Sequence, residues 1–255
     1  MARVVGSRVL VVDVLCIFAI AGLLTHRYWD SRKLATFVRT IHLWPDQRQT
    51  ALEVAAACSR IPFAKFEPVL IHALPVFGAG PGALLRSGGC CAGHSRVLIL
   101  ALERIGIPAF QVTLYHVEGY AQHCLVQAWV GEEPLLMDPS YGLYFASPGG
   151  QPVGIRELQA GVKPVFRPLP GSSATGYPRK PYYDFDFKST RTANWTRTAP
   201  RRLAYSTLRL ILGRGADQLE VPATMEWPQH LAIAAVLLVL AAAHLCVELT
   251  SWIAT

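Results

Sequence analysis

The hydrophobic pattern divides the chain into two apolar ends and an amphipathic middle. Residues 9–25 and 230–247 are almost continuously apolar, and each run is long enough for a helix that crosses a bilayer. The first run contains Asp13, whose charge is costly inside lipid. We interpret this run as an uncleaved anchor, although the Ala-Ile-Ala at residues 19–21 also resembles the cleavage site of a signal peptide.

The middle of the chain begins with helical patterns. Residues 28–42 and 46–60 have the composition and spacing of helices, and Pro45 suits the first turn of the second one. A third helix is predicted to begin at Cys91, because apolar side chains recur at helical spacing from there to residue 105. The Gly-Ile-Pro at residues 106–108 is a strong signal for the end of that helix.

Strand patterns follow this third helix. Residues 110–117 and 121–130 alternate with a period of two, and residues 134–138 form a shorter apolar run that ends in Asp138. His123 and Cys124 fall on opposite faces of the second run. One helix followed by period-two runs and short turns predicts an α+β domain, in which the helix packs on a mainly antiparallel sheet.

Three residues of this region have the types and positions of a thiol catalytic triad. Cys91 lies in the first turn of the predicted helix, where the positive end of the helix dipole and the free N–H groups favour a thiolate. His123, on a strand, can take the thiol proton and later protonate a leaving group. Asp138, at the end of the next strand, would hold the imidazole in one tautomer and orientation.

The same residues carry a family resemblance. Gly-Cys-Cys at 89–91, Gly-Ile-Pro-Ala at 106–109, His123 and Asp-Pro-Ser-Tyr-Gly at 138–142 resemble the transglutaminase-like superfamily of papain-like thiol enzymes, in its membrane-anchored bacterial form. Alignment on the Gly-Ile-Pro-Ala sequence makes Cys91 the match to the family nucleophile, rather than the residue before it. The resemblance covers about 55 of the 255 residues.

The resemblance implies a papain-like core and an acyl-enzyme on Cys91. The substrate would be an amide or peptide bond in a peptide, a protein or another amide-containing molecule, and the enzyme would be a hydrolase or an acyltransferase that needs no cofactor or metal. Two positions depart from the family pattern: Phe110 replaces a frequent Arg, and Gln127 replaces a common Glu. The alternative is a catalytically inactive protein of the same fold that binds an assembly partner at the membrane.

Other residues compete for the catalytic roles. His116 lies near the end of the preceding strand and has no Asp-Pro partner in register, so His123 is preferred as the base. A metal site built from Cys90, Cys91, His94 and His123 lacks the Cys-x-x-Cys or His-x-x-x-His spacing of metal sites. A lone Cys is usually a buried small hydrophobe, but the ordered His and Asp favour a catalytic thiol here.

Charge becomes strongly positive after the strand region. Residues 156–214 hold twelve Lys and Arg against three Asp and Glu, whereas the whole chain has a net charge of +7. The segment 201–214 has the spacing of a basic amphipathic helix that would lie on anionic membrane lipid, and a solvated linker is the other interpretation. Nucleic acid is not an expected partner despite the basic charge, because a domain that is exported and anchored by two membrane segments is separated from nucleic acid.

These features predict a domain order. It consists of an N-terminal anchor or signal peptide at 1–27, a transglutaminase-like catalytic domain at 28–150, a basic extended region at 151–228 and a C-terminal transmembrane helix at 229–249. The basic side chains of Arg3 and Arg8 before the first apolar run predict a cytoplasmic N-terminus. The catalytic domain would then lie at the membrane, outside the cytoplasm.

Overall fold

The computed structural model of the chain describes residues 2–64, 79–172, 184–192, 199–221 and 223–253. Within these ranges the architecture is α+β, with helices, one five-stranded sheet and three short 3-10 helices at Phe187–Ser189, Gly213–Gln218 and Ala223–Glu226. The helices and strands are α1 (Ala2–Arg39), α2 (Gln47–Ser59), α3 (Pro81–Ser87), α4 (Cys91–Arg104), β1 (Ala109–Tyr115), β2 (Ala121–Val130), β3 (Glu133–Asp138), β4 (Leu143–Ala146), α5 (Ile155–Gln159), β5 (Val165–Pro168), α6 (Ala199–Leu212) and α7 (Pro228–Ile253).

The five strands form an antiparallel meander in the order β1-β2-β3-β4-β5. The predicted strands at 110–117, 121–130 and 134–138 are present as β1, β2 and β3. Since β1 ends at Tyr115, His116 lies in the turn between β1 and β2 rather than in the sheet. The prediction of an antiparallel sheet after the helix is therefore confirmed.

Helix α4 has the start and the end that its glycines predict. Gly88 has a φ of 79°, and a Cβ at this position would lie 2.1 Å from the carbonyl oxygen of Pro62. Only a glycine fits that turn into the helix. At the other end Gly106 has a φ of 81°, and its N–H donates to the carbonyl oxygen of Glu103. The left-handed residue closes the helix and Pro108 prevents its continuation.

One face of the sheet packs against α4. Val126, Ala128 and Met137 point to this face and share a hydrophobic core with Leu98 and Leu102 of α4, and all five side chains are buried. The alternation predicted for β2 is therefore observed, because its even-numbered residues face the helix. Burial of each large apolar side chain contributes on the order of 1.5–3 kcal/mol to folding, so this contact fixes the start of α4 relative to the strands.

The opposite face of the sheet is covered by residues from the predicted extended region at 151–228. Val153, Ile155 and Leu158 are buried in a second core with Leu136, and β5 pairs with β4. The folded domain thus continues past the predicted boundary at residue 150. Helix α5 is only five residues long and β5 only four, so neither produces a periodic pattern that the sequence could show.

The two departures from the family pattern occupy structural positions. Phe110 is buried in the second core. The side-chain Oε1 of Gln127 accepts a hydrogen bond of 2.7 Å from the backbone N–H of Ile155, at the start of α5. Gln127 therefore joins β2 to α5 by satisfying a free N–H group of the helix.

Helices α1 and α7 are both long and apolar enough to cross a membrane. They pack against each other in antiparallel directions, because Asp13 pairs with His244 (Oδ1 to Nε2, 3.0 Å) while Asp30 accepts a bond of 2.8 Å from Gln229 near the other end. Asp13 lies in the first apolar run and His244 in the second. The structure shows that each provides the polar partner of the other.

The predicted anchor at 1–27 and the predicted helix at 28–42 are a single element. Helix α1 continues without a break for 38 residues, or about 57 Å at 1.5 Å per residue. That length exceeds the hydrocarbon thickness of a bilayer, about 30 Å. The last turns of α1 belong to the domain, since Leu34 and Val38 are buried in the core beside α4. The two predicted segments lack a Gly or Pro between them, which accounts for the continuous helix.

The helix predicted in the basic segment 201–214 is present as α6. Its Tyr205 hydroxyl bonds to Asp217, and the Arg191 guanidinium lies 4.8 Å from the centre of the Tyr205 ring. The outer face exposes Leu203, at 71 %, and Leu210, at 87 %. Contact of this face with lipid stays a prediction.

Candidate active site

His123 and Asp138 form a buried hydrogen-bonded pair. The Nε2 of His123 lies 2.6 Å from Oδ2 of Asp138, and the two side chains are 8 % and 0 % exposed. The other carboxylate oxygen accepts bonds from the backbone N–H groups of Ser140 (2.8 Å) and Tyr141 (3.1 Å). Both oxygens of Asp138 are therefore held, and the imidazole that bonds to Oδ2 is held with them.

The sheet explains how these two residues meet. Strands β2 and β3 are neighbours, and Leu125 and Leu136, which have the same alternation as His123 and Asp138, share the second core. The register of β1 and β2 shifts between Leu114 and Tyr115, opposite His123. Such a bulge twists the local strand and re-aims its side chains. The His-Asp contact is thus a product of strand pairing and of the Asx turn at residues 138–141.

Cys91 is the third side chain of this cluster. It is the first residue of α4, its thiol is partly exposed, and it forms a side-chain hydrogen bond with His123. Because Nε2 of the ring is bonded to Asp138, Nδ1 is the nitrogen that remains for the thiol. The structure therefore brings all three residues predicted for the triad into one hydrogen-bonded series.

The start of α4 offers hydrogen-bond donors beside that thiol. The first helical bond runs from the N–H of His94 to the carbonyl oxygen of Cys90, and no side chain caps the helix. The N–H groups of residues 91–93 precede that bond, so they have no partner within the helix. They lie at the positive end of the helix dipole, which favours negative charge.

The surroundings of His123 favour its protonated form. Burial alone would lower the pKa of the imidazole, but the negative charge and hydrogen bond of Asp138, together with Cys91, raise it well above its usual value of 6.5. An imidazole that accepts a proton readily is suited to withdraw one from a neighbouring thiol.

Two aromatic rings lie against His123. The Tyr141 ring centre is 5.1 Å from that of the imidazole, and the Phe185 ring is stacked at 6.3 Å. Burial raises the pKa of Tyr141 from its usual value of 10, with further contributions from the nearby charges of the site. The rings shield the imidazole from solvent, while Cys91 remains accessible.

His94 joins the two loops that flank the helix start. Its Nδ1 lies 3.5 Å from the carbonyl oxygen of Pro139, and its Nε2 lies 3.3 Å from that of Pro62. The residue is almost completely buried. It therefore connects the first turn of α4 to the turn that holds Asp138.

The rival candidates lie elsewhere. His116 stacks on Tyr120, with 4.8 Å between ring centres, and its Nδ1 accepts a bond from the N–H of Glu118, so these side-chain contacts lie in the β1–β2 turn. Cys124 is buried, and none of the six cysteines forms a disulfide. Among the described residues, no group of three His, Cys, Asp or Glu side chains is arranged to hold a metal ion.

Sequence reasoning did not assign roles to His94, Tyr141 or Phe185. Tyr141 was visible as part of the 138–142 motif, and its position three residues after Asp138 is a usable signal. Phe185 is distant in sequence and pairs with His116 through a single bridge. Nothing in the local pattern reveals that it covers His123.

Comparison of the chain with protein-family models, with curated proteins and with solved structures found no match.

We predict that Asp138→Asn lowers the pKa of His123 markedly. Loss of the carboxylate charge removes the main influence that raises the pKa and leaves burial, which lowers it. Histidine ring NMR across a pH series measures this value, and the spectrum of a His123→Gln variant assigns the signal. Glu118→Gln, which removes one charge beside His116, is the matched control and should leave the His123 titration in place. An unchanged His123 midpoint in Asp138→Asn would refute the electrostatic account.

The same shift links stability to pH. Because folding raises the pKa of His123, its protonation stabilises the native state, and this contribution is complete below the unfolded value of about 6.5. The contribution is lost as the pH rises through the folded value.

Proposed function

We propose that the protein is a membrane-anchored thiol enzyme of the transglutaminase-like kind, with a papain-like core. It would act on an amide or peptide bond through an acyl-enzyme on Cys91. The observation that carries this proposal is the hydrogen-bonded order Cys91, His123, Asp138 at the start of a helix packed on an antiparallel sheet. Helix α4 and the neighbouring strands β2 and β3 each contribute one member, and a thiol, a base and a carboxylate in this series are the groups that acyl transfer by a thiol requires.

The first half of the reaction forms a thioester. His123 takes the proton of the Cys91 thiol, and the sulfur attacks the carbonyl carbon of the substrate amide. The carbonyl oxygen becomes an oxyanion, and the N–H groups at the start of α4 are placed to donate to it. Collapse of this intermediate breaks the C–N bond, and the proton held by His123 passes to the departing amine. Asp138 stabilises the imidazolium throughout.

The second half of the reaction releases the acyl group. Water or an amine approaches the thioester carbonyl, and His123 removes its proton as the new bond forms. The C–S bond then breaks, and the Cys91 sulfur regains the proton. Water gives hydrolysis, whereas an amine gives an acyl transfer product. No cofactor enters either half of the reaction.

We further propose that α1 and α7 span the membrane and hold the domain outside the cytoplasm. Their exposed surfaces carry apolar side chains such as Leu15, Phe18, Leu238 and Leu245. The pairing of Asp13 with His244 supports insertion, because polar side chains in lipid need a polar partner.

Burial of His123 beneath aromatic rings limits solvent access to the base, although the thiol itself must remain open to substrate.

We predict that iodoacetamide alkylates Cys91 at neutral pH and that His123→Asn slows this reaction about tenfold or more, because less thiolate forms without the base. His116→Asn is the matched control and should not change the rate. Peptide mass mapping separates alkylation of Cys91 from any alkylation of Cys246 on α7. Buried Cys58 should resist, since burial raises the pKa of its thiol far above the usual range.

Equal slowing of Cys91 alkylation in both histidine variants would argue against a specific base. A wild-type rate at Cys91 no faster than that of an unactivated exposed thiol would favour the inactive binding protein instead.

We predict that a reporter active only outside the cytoplasm functions when fused after residue 42 and fails when fused after residue 255. Helix α1 ends at Arg39, so a fusion after residue 42 carries the complete first span. Arg3 and Arg8 hold the N-terminus inside, and α7 returns the chain. A cytoplasmic reporter supplies the opposite readout at both positions. The inverse pattern would place the domain in the cytoplasm.

A further inference from the structure

A groove of about 690 Å³ lies between α1 and the ends of α2 and α3. One wall is a single stripe of α1, which runs from Trp29 through Phe37 to Ile41 at intervals of three and four residues. The other wall consists of the end of α2, the adjoining Ile61 and α3. The groove is separate from the Cys91 site, since none of the three triad residues lines it.

The groove combines an apolar floor with a basic rim. Phe37, Ile61 and Leu85 are buried or half-buried in it. Its rim carries four exposed basic side chains from three parts of the chain, and none of the described residues that line it is acidic: Arg32, Lys33, Arg60 and Arg86. Within the described part of the chain, none of the four forms an ion pair with a carboxylate.

The one carboxylate of α1 near this region is occupied elsewhere. Asp30 is 3 % exposed, and its Oδ2 accepts the 2.8 Å bond from Gln229 and lies 3.4 Å from His26. Asp30 therefore belongs to a buried polar cluster with α7, and in the described part of the chain it forms no ion pair with the basic side chains of the rim. A concave surface that carries four basic side chains attracts a negatively charged partner.

The position of the groove identifies the source of that partner. Helix α7 begins at Pro228, and Gln229 contacts Asp30, so both helices leave the proposed bilayer near this level. Tyr28 and Trp29 are exposed here, as is typical of aromatic residues at a membrane surface. Arg32 and Lys33 follow within one turn, at the depth of the phosphate groups.

We propose that this groove binds an anionic phospholipid of the membrane that holds α1 and α7. The phosphate would contact the basic rim, and an acyl chain would lie along the apolar floor beside Trp29. The proposal rests on the membrane insertion proposed above and is independent of the thiol chemistry. A lipid in this position would also touch Pro62, whose carbonyl oxygen accepts from the N–H of Gly89, two residues before Cys91.

The test uses the full chain in lipid nanodiscs that contain both phosphatidylcholine and phosphatidylglycerol, followed by native mass spectrometry of the lipids it retains. Wild type should retain phosphatidylglycerol selectively. The double variant Arg60→Gln/Arg86→Gln should bind it about thirtyfold more weakly, because each basic side chain near an anionic surface contributes about 1 kcal/mol and the two contributions multiply in the affinity. Both side chains are exposed, so the fold should persist.

Lys163→Gln/Arg167→Gln removes the same charge from exposed positions on and beside β5 and should leave lipid retention unchanged. An equal loss of phosphatidylglycerol retention in this control would show that the effect comes from net charge alone, and it would overturn the proposed binding site. Equal retention in wild type and the Arg60/Arg86 variant would also overturn it, as would full competition by glycerol phosphate, which has no acyl chain. Failure of the chain to enter nanodiscs would count against insertion, and titration of phosphatidylglycerol in detergent would then test the groove separately.

Discussion

The hydrogen bond between His123 and Asp138 is the contact on which the proposed chemistry depends. It requires β2 and β3 to pair in one register, a bulge opposite His123 and a turn whose N–H groups hold the second oxygen of Asp138. Charge-assisted bonds of this kind contribute about 1.5–3 kcal/mol to stability. Here the bond also fixes the ring nitrogen that faces Cys91. The packing of α4 on the same sheet brings that thiol to the imidazole, so the triad is a direct consequence of the fold.

The pairing of the long apolar helices α1 and α7 is the second constraint. Helices α1 and α7 are joined by polar pairs near both ends, and α1 continues into the domain, where Leu34 and Val38 enter the core. The domain is therefore attached rigidly to the proposed anchor and does not hang from a flexible linker. One side of α1 forms a wall of the groove proposed to bind lipid, and Pro62 on the facing wall bonds to Gly89, two residues before Cys91. This arrangement would restrict substrates to molecules that reach the membrane surface.

Much of the fold and the triad could be predicted because the signals are local. Period-two runs marked β1 to β3, Gly106 marked the end of α4, and a Cys, a His and an Asp in that order marked the candidate site. The remainder depends on contacts between distant residues. Helix α5 and β5 are too short to show periodicity, Phe185 reaches His123 only after folding, and the pairing of Asp13 with His244 spans 231 positions. The basic segment at 156–214 is visible in the sequence because its Lys and Arg residues lie close together in the chain. The basic rim of the groove is not visible there, because its side chains come from three separate parts of the chain and meet only after folding.

Acylation by an activated ester tests the central claim most directly. The purified chain is mixed with p-nitrophenyl acetate, the nitrophenolate burst is recorded, and the acetylated peptide is identified by mass spectrometry. The account predicts a burst of one acetyl group per chain on Cys91, which Cys91→Ala abolishes and Cys90→Ala preserves, with slower acylation in His123→Asn. Acetylation of Cys90 in place of Cys91, or an undiminished rate in His123→Asn, would contradict it.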